Sequence, residues 1–353
     1  MSASVVWAAW SDDSILIFRE GRAIQRSEVE RRVPKDFRHF VKLSGMADGR
    51  VLLRTGSHDG SMMDISTEGA PFASIEGWPC ELSRLPVNGV RVSQAGTILG
   101  NDVASNEIFS WSPPDRLWLA TPPAEFLVTD VAEDPPRHWI CGSLPARQLR
   151  SLEHRAAFAV TRDDADSWEI DDRAHGRMLT VWGGIASGAL GSYRNVYATA
   201  GYVLLTALTR DLGDETTLVF LRTPEGNWRS KTLRHDIVQS VVLLGANDGI
   251  RIVSHYGKLL FPGRLGWMVE DLRPPALRLL EEGSVLLPAN MRLEILDAQA
   301  LMHELAIVVS LRTPRRGHLQ RFGEAVVVLG GSRDRLVAFH AADEPEVVSA
   351  ALA

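Results

Sequence analysis

The chain has little cysteine, with only Cys80 and Cys141 among its 353 residues. The two lie far apart in sequence, without the close spacing of a metal-binding cysteine motif. We therefore expect reduced, part-buried thiols and no disulfide framework, as in a cytoplasmic protein. No apolar run approaches the roughly 18 residues that a membrane-spanning helix needs. Residues 1–7 also lack the basic and apolar regions of a signal peptide, so a soluble protein is expected.

The chain also has fewer basic than acidic residues. Lys and Arg number 38 against 44 Asp and Glu, which gives a formal net charge of −6. Proteins that bind nucleic acid or anionic membranes present a positive face, so neither is expected as a partner. The one basic cluster, residues 312–321, includes Arg315, Arg316 and His318 and falls in a predicted hairpin turn. We interpret it as a solvated loop.

The common catalytic motifs are absent from the sequence. It contains no Gly-x-x-x-x-Gly-Lys-Ser/Thr, Gly-x-Gly-x-x-Gly, His-Glu-x-x-His or Gly-x-Ser-x-Gly. Phosphate-loop, dinucleotide-binding, zinc-protease and serine-hydrolase interpretations therefore have no support, and no cofactor is expected. Helical periodicity is sparse as well. Residues 145–157 carry two leucines at helix spacing, which leaves a short inserted helix and a polar loop as open alternatives.

The most distinctive stretch that is present covers residues 161–168, Thr-Arg-Asp-Asp-Ala-Asp-Ser-Trp. An apolar run precedes it and a short second run begins at Trp168, a pattern typical of a β-hairpin. Asp163 is placed to accept hydrogen bonds from turn N–H groups that have no partner in the strand ladder. Trp168 is expected to fold back and cover the hairpin.

This stretch resembles the Asp-box of sialidase-like β-propellers, Ser/Thr-x-Asp-x-Gly-x-Thr/Ser-Trp. Thr161, Asp163, Ser167 and Trp168 occupy matching positions, and Ala165 stands where Gly is usual. The resemblance covers eight residues and implies a structural hairpin, since Asp-boxes occur in enzymes and in binding proteins alike. An active sialidase of this family would also carry an Arg-Ile-Pro motif, an arginine triad and a tyrosine nucleophile. The chain lacks the first, and no arginine set can be assigned, so sialidase activity is not expected.

Six weaker hairpins of the same kind repeat along the chain, each with an apolar run, a polar turn and a second extended run. With the Asp-box hairpin, the seven runs are centred on residues 16, 63, 109, 158, 219, 260 and 308. Their mean spacing of about 49 residues is that of four-stranded propeller blades. The sequence therefore predicts an all-β, seven-bladed β-propeller that forms one domain over residues 1–353.

The two ends of the chain predict how the propeller closes. Only residues 5–10 form an apolar run before the first anchor, too little for two inner strands. Two spare runs, residues 325–329 and 336–339, follow the last anchor. We therefore predict that C-terminal strands complete the blade begun at the N-terminus, which leaves no long open edge.

The longest interval between anchors, from residue 158 to residue 219, contains a segment of small residues flanked by aromatic and arginine side chains. Trp, Tyr and Arg are enriched at binding hot spots, and propeller insertions lie in surface loops. The alternative is a tolerated loop whose aromatic residues belong to neighbouring strands. With a second insertion near residue 138, the predicted binding residues are Trp182, Tyr193, Arg194, Tyr197, His138 and Trp139.

Two similar segments could supply amide and carboxylate oxygens to a divalent metal at the central channel. They contain Asn101 with Asp102, and Asn247 with Asp248. Asn-Asp next to Gly is also ordinary turn chemistry, so no metal is predicted. His255 adjoins a predicted strand, and we interpret it as a loop or core histidine and not as a catalytic base.

These features favour a non-catalytic protein-binding β-propeller, either an assembly or stability factor or an immunity protein that neutralises a toxin. The acidic charge would suit a basic protein partner. The alternative is a metal-dependent hydrolase, lactonase or lyase acting at the central channel. A carbohydrate-binding module is the third possibility.

Overall fold

The structure is a computed structural model. It describes residues 3–11, 14–28, 41–46, 49–57, 60–66, 73–74, 90–92, 97–101, 106–112, 116–134, 136–145, 154–161, 167–170, 193–211, 214–244, 249–264, 266–315, 318–330 and 334–352. Within these ranges, antiparallel strands form seven four-stranded sheets, which we number as blades 1 to 7. The predicted fold class, an all-β propeller with seven blades, is confirmed.

The strands alternate with short turns throughout the chain. Blades 1 and 2 contain β1 (Val5–Ser11), β2 (Ser14–Arg19), β3 (Arg22–Glu28), β4 (Lys42–Gly45), β5 (Val51–Ser57), β6 (Gly60–Ser66) and β7 (Ala73–Ser74). Blades 3 and 4 contain β8 (Val90–Val92), β9 (Ile98–Asn101), β10 (Ile108–Ser112), β11 (Arg116–Ala120), β12 (Leu127–Asp134), β13 (Arg137–Pro145), β14 (His154–Thr161) and β15 (Trp168–Ile170).

The remaining elements complete blades 5, 6 and 7 and return to blade 1. They are β16 (Asn195–Thr199), β17 (Tyr202–Asp211), β18 (Asp214–Arg222), β19 (Trp228–Arg234), β20 (Val238–Leu244), β21 (Gly249–Ser254), β22 (Lys258–Pro262), β23 (Trp267–Asp271), helix α1 (Arg273–Glu282), β24 (Arg292–Leu301), β25 (Glu304–Arg315), β26 (His318–Gly330), β27 (Arg335–Ala341) and β28 (Glu346–Leu352).

Residue contacts divide the chain into two compact units. The first unit, Met1–Glu76 with Val238–Ala353, contains blades 6, 7, 1 and 2. The second unit, Gly77–Ile237, contains blades 3, 4 and 5. The expected single domain of residues 1–353 stays a prediction.

The C-terminal strand β28 completes blade 1 by pairing antiparallel with β1, where Trp7 lies opposite Ala350. The predicted sharing of one blade by the two chain ends is confirmed. The strands involved differ from those expected, because residues 325–329 and 336–339 belong to β26 and β27 of blade 7. The anchor at residue 308 lies in the second strand of its blade, whereas the other six lie in third strands. Both β25 and β26 are buried on both faces, so their apolar runs look alike in sequence.

Helical structure differs from the expectation. Pro145 ends β13 and residues 154–157 begin β14, so the described ends of the possible helix at 145–157 are strands. Helix α1 lies instead between β23 and β24. Two prolines in its first turn favour its start, and Ala276, Leu279 and Leu280 are buried against blade 7. Among the described residues, no helix is long and apolar enough to cross a membrane.

Apolar side chains fill the space between consecutive blades of each unit. Where a blade has a neighbour of the same unit on both faces, its strands bury both sets of alternating side chains, and they read as apolar runs. Trp7 stacks on Phe18 with ring centroids 5.3 Å apart in the first unit, and Trp139 stacks on Phe158 at 5.3 Å in the second. Burial of this kind supplies most of the folding free energy.

Hydrogen bonds between blades run along the inner strands, which we define as β28, β4, β8, β12, β16, β20 and β24. An inner strand is paired on one edge only, so buried N–H groups on its other edge need acceptors. Ser and Asp side chains that follow a β-bulge in the neighbouring inner strand provide them. These inner-strand braces join Ser240 to the N–H of Ala298 at 3.2 Å, Ser349 to that of Leu43 at 3.0 Å, and Asp130 to that of Val196 at 2.8 Å.

Asp297 carries the charged brace of the first unit. It is 1% exposed, and its Oδ1 accepts from the N–H of Ala298 at 2.8 Å. Lys42 in β4 forms an ion pair with the same carboxylate, and the hydroxyl of Ser349 in β28 donates to its other oxygen. Inner strands from three blades are thereby joined at one buried charge. Removing one partner of such a pair is strongly destabilising, because the other charge stays buried.

The close approach of β4 and β28 generates a prediction about Gly45. A Cβ atom at this position would lie 1.7 Å from the carbonyl oxygen of Leu352. We expect Gly45→Ala to lower the free energy of unfolding by about 1–3 kcal/mol or more, because the backbones must separate. Urea unfolding measures the change, and Ser44→Ala, at the neighbouring half-buried position, serves as the control. An unchanged midpoint for Gly45→Ala would contradict this contact between blades 1 and 2.

Candidate functional site

A cluster of ionisable side chains lies where blades 6 and 7 meet in the first unit. His255 is in the turn after β21, Arg292 and Glu294 are in β24, and Arg312 is in β25. Residues two apart in a strand share a face, and Arg312 is the cross-strand partner of Arg292. The three strand residues therefore project on the same side. We call these four residues the His–Glu–Arg cluster.

Glu294 is the centre of this cluster, with 7% of its surface exposed. Its Oε1 lies 3.2 Å from Nε of Arg292, and its Oε2 lies 3.1 Å from Nε of Arg312. The same Oε2 lies 3.7 Å from Nε2 of His255. A buried carboxylate requires compensation by opposite charge, and here two guanidinium groups provide it.

The imidazole of His255 is held by the backbone of β24. The N–H of Ile295 donates to the carbonyl of His255 at 2.7 Å, and Nδ1 of the ring lies 3.1 Å from the carbonyl oxygen of Ile295. Because a carbonyl oxygen can only accept, Nδ1 carries the hydrogen of this bond. The nitrogen that can exchange a proton is therefore Nε2, which faces Glu294.

A cavity of about 460 Å³ adjoins the cluster through Tyr256 and Arg292. Its wall also contains Asp271 and Arg273, while Leu277 and Met291 contribute apolar surface. The guanidinium carbon of Arg292 lies 4.6 Å from the ring centroid of Tyr256, and the rings of His255 and Tyr256 are 5.0 Å apart. The volume is in the range of small-molecule sites, which combine apolar walls with a few polar groups.

Asp271 and Arg273 form a two-point ion pair on the cavity wall. Nε and Nη2 of Arg273 donate to the carboxylate at 2.9 and 2.5 Å. These hydrogen bonds from Arg273 lower the pKa of Asp271. The pair is therefore ionised near neutral pH and has no net charge. In the cluster, the two arginines exceed the single Glu294 carboxylate by one positive charge.

Tyr197, one of the predicted binding residues, belongs to a group of interacting side chains that links inner strands of the second unit. Arg91 in β8 places its guanidinium carbon 3.9 Å from the Tyr197 ring centroid. It also forms an ion pair with Asp130 and donates to the carbonyl of Val196 at 2.7 Å. Burial raises the pKa of Asp130, against the opposing effect of the Arg91 charge. The arrangement joins inner strands of three blades.

His138 and Trp139, also predicted to bind a partner, are 8% and 4% exposed. The His138 ring stacks on Trp118 with centroids 3.9 Å apart, and Trp139 stacks on Phe158. Both residues therefore belong to the packing of blade 4 with its neighbours.

The remaining predicted binding residues do not form one surface. Tyr193 is fully buried and packs edge-on against Phe220, with centroids 6.0 Å apart. Arg194 is exposed. Trp182 lies outside the described residues. The structure does not bring the five described residues together on one exposed face, and their role in binding stays a prediction.

β14 and β15, at the two ends of the segment that resembles an Asp-box, pair antiparallel with Thr161 opposite Trp168. The Thr161 hydroxyl accepts from the N–H of His138 at 2.9 Å. The indole N–H of Trp168 donates to the carbonyl of Thr121 at 2.9 Å, so this side chain reaches out of its hairpin instead of folding back over it. Ser167 directly precedes β15, and Asp163 lies outside the described residues.

The candidate metal ligands are only partly described. Asn101 is buried in β9, and its Nδ2 donates to the carbonyl of Val128 at 3.3 Å. Asp102, Asn247 and Asp248 lie outside the described residues. Across the described ranges, no three His, Cys, Asp or Glu side chains converge as a group that could hold a metal ion. The alternative of a metal site stays a prediction.

The sequence interpretation missed the His–Glu–Arg cluster. The available signal was the alternation Arg292-Leu-Glu294 at the start of a strand, together with Arg312 in a strand of similar length. Neither is distinctive until the pairing of β24 with β25 is known. His255 is a turn residue, as one part of the interpretation held, but its side chain faces a buried carboxylate.

No protein-family model matches the chain, and no curated protein matches it either. Among solved structures it is similar to propeller proteins. Virginiamycin B lyase from Staphylococcus aureus is 10% identical over 82% of this chain and 91% of that one, with a TM-score of 0.44. A streptogramin B lyase is 11% identical over 85% and 91%, with a TM-score of 0.44. A protein from Lactobacillus plantarum is 9% identical over all of both chains, with a TM-score of 0.45.

These similarities correct the functional prediction. The expectation of a non-catalytic protein-binding scaffold, whether assembly factor or immunity protein, is wrong, because two of these similar structures are enzymes named as lyases. The expectation rested on missing local motifs, and a motif search does not detect residues that are assembled across strands. At these levels of identity the matches do not assign an activity to this chain.

Cys141 generates a prediction about reactivity. It is buried, and burial raises its thiol pKa well above the ordinary value, with the charge of Asp130 acting in the same direction. In a Cys80→Ser variant at pH 8, we expect no reaction of Cys141 with Ellman's reagent until the chain is unfolded in guanidinium, when one thiol should react.

The same pKa shift makes the stability of the fold depend on pH. The folded state holds the Cys141 proton more tightly than the unfolded chain does, so its contribution to stability falls as pH rises above the ordinary thiol pKa. Rapid reaction of one thiol in the folded variant would contradict the burial of Cys141.

Proposed function

We propose that the chain is an enzyme of the hydrolase or lyase class that acts on a small molecule through proton transfer at His255. One observation supports this most directly. The imidazole is fixed through Nδ1 on the Ile295 carbonyl, while Nε2 lies 3.7 Å from the buried Glu294 carboxylate, beside a cavity of small-molecule size. An imidazole held through one ring nitrogen, with a carboxylate close enough to stabilise its protonated form, is suited to general acid–base catalysis.

Each group near the cavity has a role in this proposal. Nε2 of His255 takes a proton from the substrate or from water, and the positive charge that forms on the ring faces Glu294. Arg292, on the cavity wall, stabilises negative charge that develops on the substrate. Leu277 and Met291 contribute apolar surface to the wall. In a lyase the proton would leave the carbon adjacent to the one that bears the leaving group, which departs with its bonding electrons as the double bond forms. In a hydrolase the proton would leave a water molecule as its oxygen attacks the substrate and displaces the leaving group.

The metal-dependent form of this function would need ligands beyond the described residues, with Asp102, Asn247 and Asp248 as candidates. The assay with EDTA described below distinguishes this metal-dependent mechanism from one without a metal. Membership of the sialidase-like Asp-box propellers, supported by the sequence pattern of residues 161–168, is likewise part of the proposal, as is a cytoplasmic location.

The proposal predicts that His255→Gln removes activity. Esters, lactones and substrates for β-elimination would be incubated with the protein and followed by mass spectrometry. For a compound that the wild type converts, we expect kcat/KM to fall about 100-fold or more, since glutamine cannot exchange the proton. His303→Gln, in an exposed turn of blade 7, should leave the rate unchanged.

Full turnover by His255→Gln would refute the assigned role. Each assay would be repeated with EDTA and with added divalent cations. Loss of the wild-type rate in EDTA, restored by one cation, would establish the metal-dependent form.

A further inference from the structure

Two arginines of the His–Glu–Arg cluster each form an ion pair with Glu294 through one nitrogen. Arg292 and Arg312 both direct Nε toward Glu294, and their side chains are 44% and 39% exposed. Within the described part of the chain, none of their four η nitrogens has a hydrogen-bond partner. Because Glu294 is buried, it fixes both guanidinium groups with the η nitrogens free to bind a ligand.

We infer that Arg292 and Arg312 together bind an oxyanion, a carboxylate or phosphate group of the small molecule that occupies the adjoining cavity. The inference rests on the proposed function, since it assigns the charged part of the substrate. The guanidinium fork matches both anions through paired N–H donors. Arg292 on the cavity wall, with Arg312 paired beside it, would hold one end of a ligand while its reacting part lies near His255.

The electrostatics favour an anion over a cation. Arg292 and Arg312 exceed Glu294 by one positive charge. Asp271, a carboxylate that does line the cavity, is already bound at two points by Arg273. An entering anion therefore meets no unpaired carboxylate among these residues.

The hairpin of β25 and β26 adds to the positive potential. Pairing of β24 with β25 begins at Arg292 and Arg312, whereas β25 and β26 stay paired as far as Arg315 and His318. Three residues of β25 thus extend past the end of β24, and the last of them, Arg315, lies beside His318 of β26 as a basic pair beyond the cluster. The basic segment interpreted from sequence as a solvated loop is therefore continuous with the proposed site, and a positive surface beside a cleft raises the local concentration of anions.

The test uses inorganic phosphate and acetate as separate probes of the full chain, with chloride at equal ionic strength as the reference. We expect one of the two to raise the melting temperature in a saturable manner. Arg292→Gln and Arg312→Gln should each weaken the apparent affinity about tenfold or more, because charge-assisted hydrogen bonds are lost. Arg278→Gln, an exposed arginine of α1 paired with Glu282 and Asp334, should bind as the wild type does.

A stronger response to phosphate identifies a phosphorylated ligand, and a stronger response to acetate identifies a carboxylic acid. The site is overturned if neither anion raises the melting temperature above the chloride reference. It is equally overturned if Arg278→Gln weakens binding as much as the cluster variants do, because the effect would then be general screening. Arg312→Lys keeps the charge without the fork and should also bind more weakly than the wild type.

His255→Gln separates this inference from the proposed function. It should lose turnover and keep the anion-dependent rise in melting temperature. Loss of turnover without any anion response would refute the anion site and leave the enzyme assignment standing. If the His255→Gln variant kept full turnover and also showed the anion-dependent rise in melting temperature, the anion site would stand and the proposed role of His255 would be refuted.

Discussion

The unpaired edge of the inner strand is the constraint on which the rest of the structure depends. The inner strand of a blade forms ladder hydrogen bonds on one edge only. Buried N–H groups on its other edge would each cost free energy if they had no acceptor. Side chains from the neighbouring inner strand accept these bonds, as Ser349 does for Leu43 and Asp130 does for Val196. Blade packing therefore requires short polar residues in strands that are otherwise apolar, and β-bulges direct those residues sideways toward the next blade.

The same need for hydrogen-bond acceptors accounts for buried charges in the interior. Asp297 and Asp130 accept backbone bonds at equivalent bulges, and each is paired with a cation from another blade, Lys42 or Arg91. The candidate site is built on a strand that is fixed in this way. Asp297, in the middle of β24, holds the strand against two neighbouring inner strands. Arg292, at the start of the strand, lines the cavity and pairs with Glu294. A strand held on both sides positions catalytic groups more firmly than a loop does.

Sequence predicts the parts of this fold that repeat and misses the parts that depend on register. The blade number follows from the spacing of apolar runs, because every blade needs buried strands at regular intervals. The last anchor is displaced by one strand, since β25 and β26 are equally apolar. The site is missed because His255, Glu294 and Arg312 come from different strands and turns, and only the pairing of Arg292 with Arg312 and the turn contact to Ile295 bring them together. The tyrosines and tryptophans chosen as binding residues are mostly core, since aromatic residues fill the spaces between blades.

The completion of blade 1 by β28 has a consequence for the order in which the chain can fold during synthesis. The second unit, Gly77–Ile237, is continuous in sequence and can assemble its three blades as soon as it leaves the ribosome. The first unit combines residues from both ends of the chain, and β1 has no partner on one edge until the last strand has been made. One edge of β1 therefore stays unpaired, exposed to water and to other chains, while the strands between β1 and β28 are translated. This interval is where chaperone binding and aggregation compete, and the Val5–Ser11 strand is the surface for which they compete.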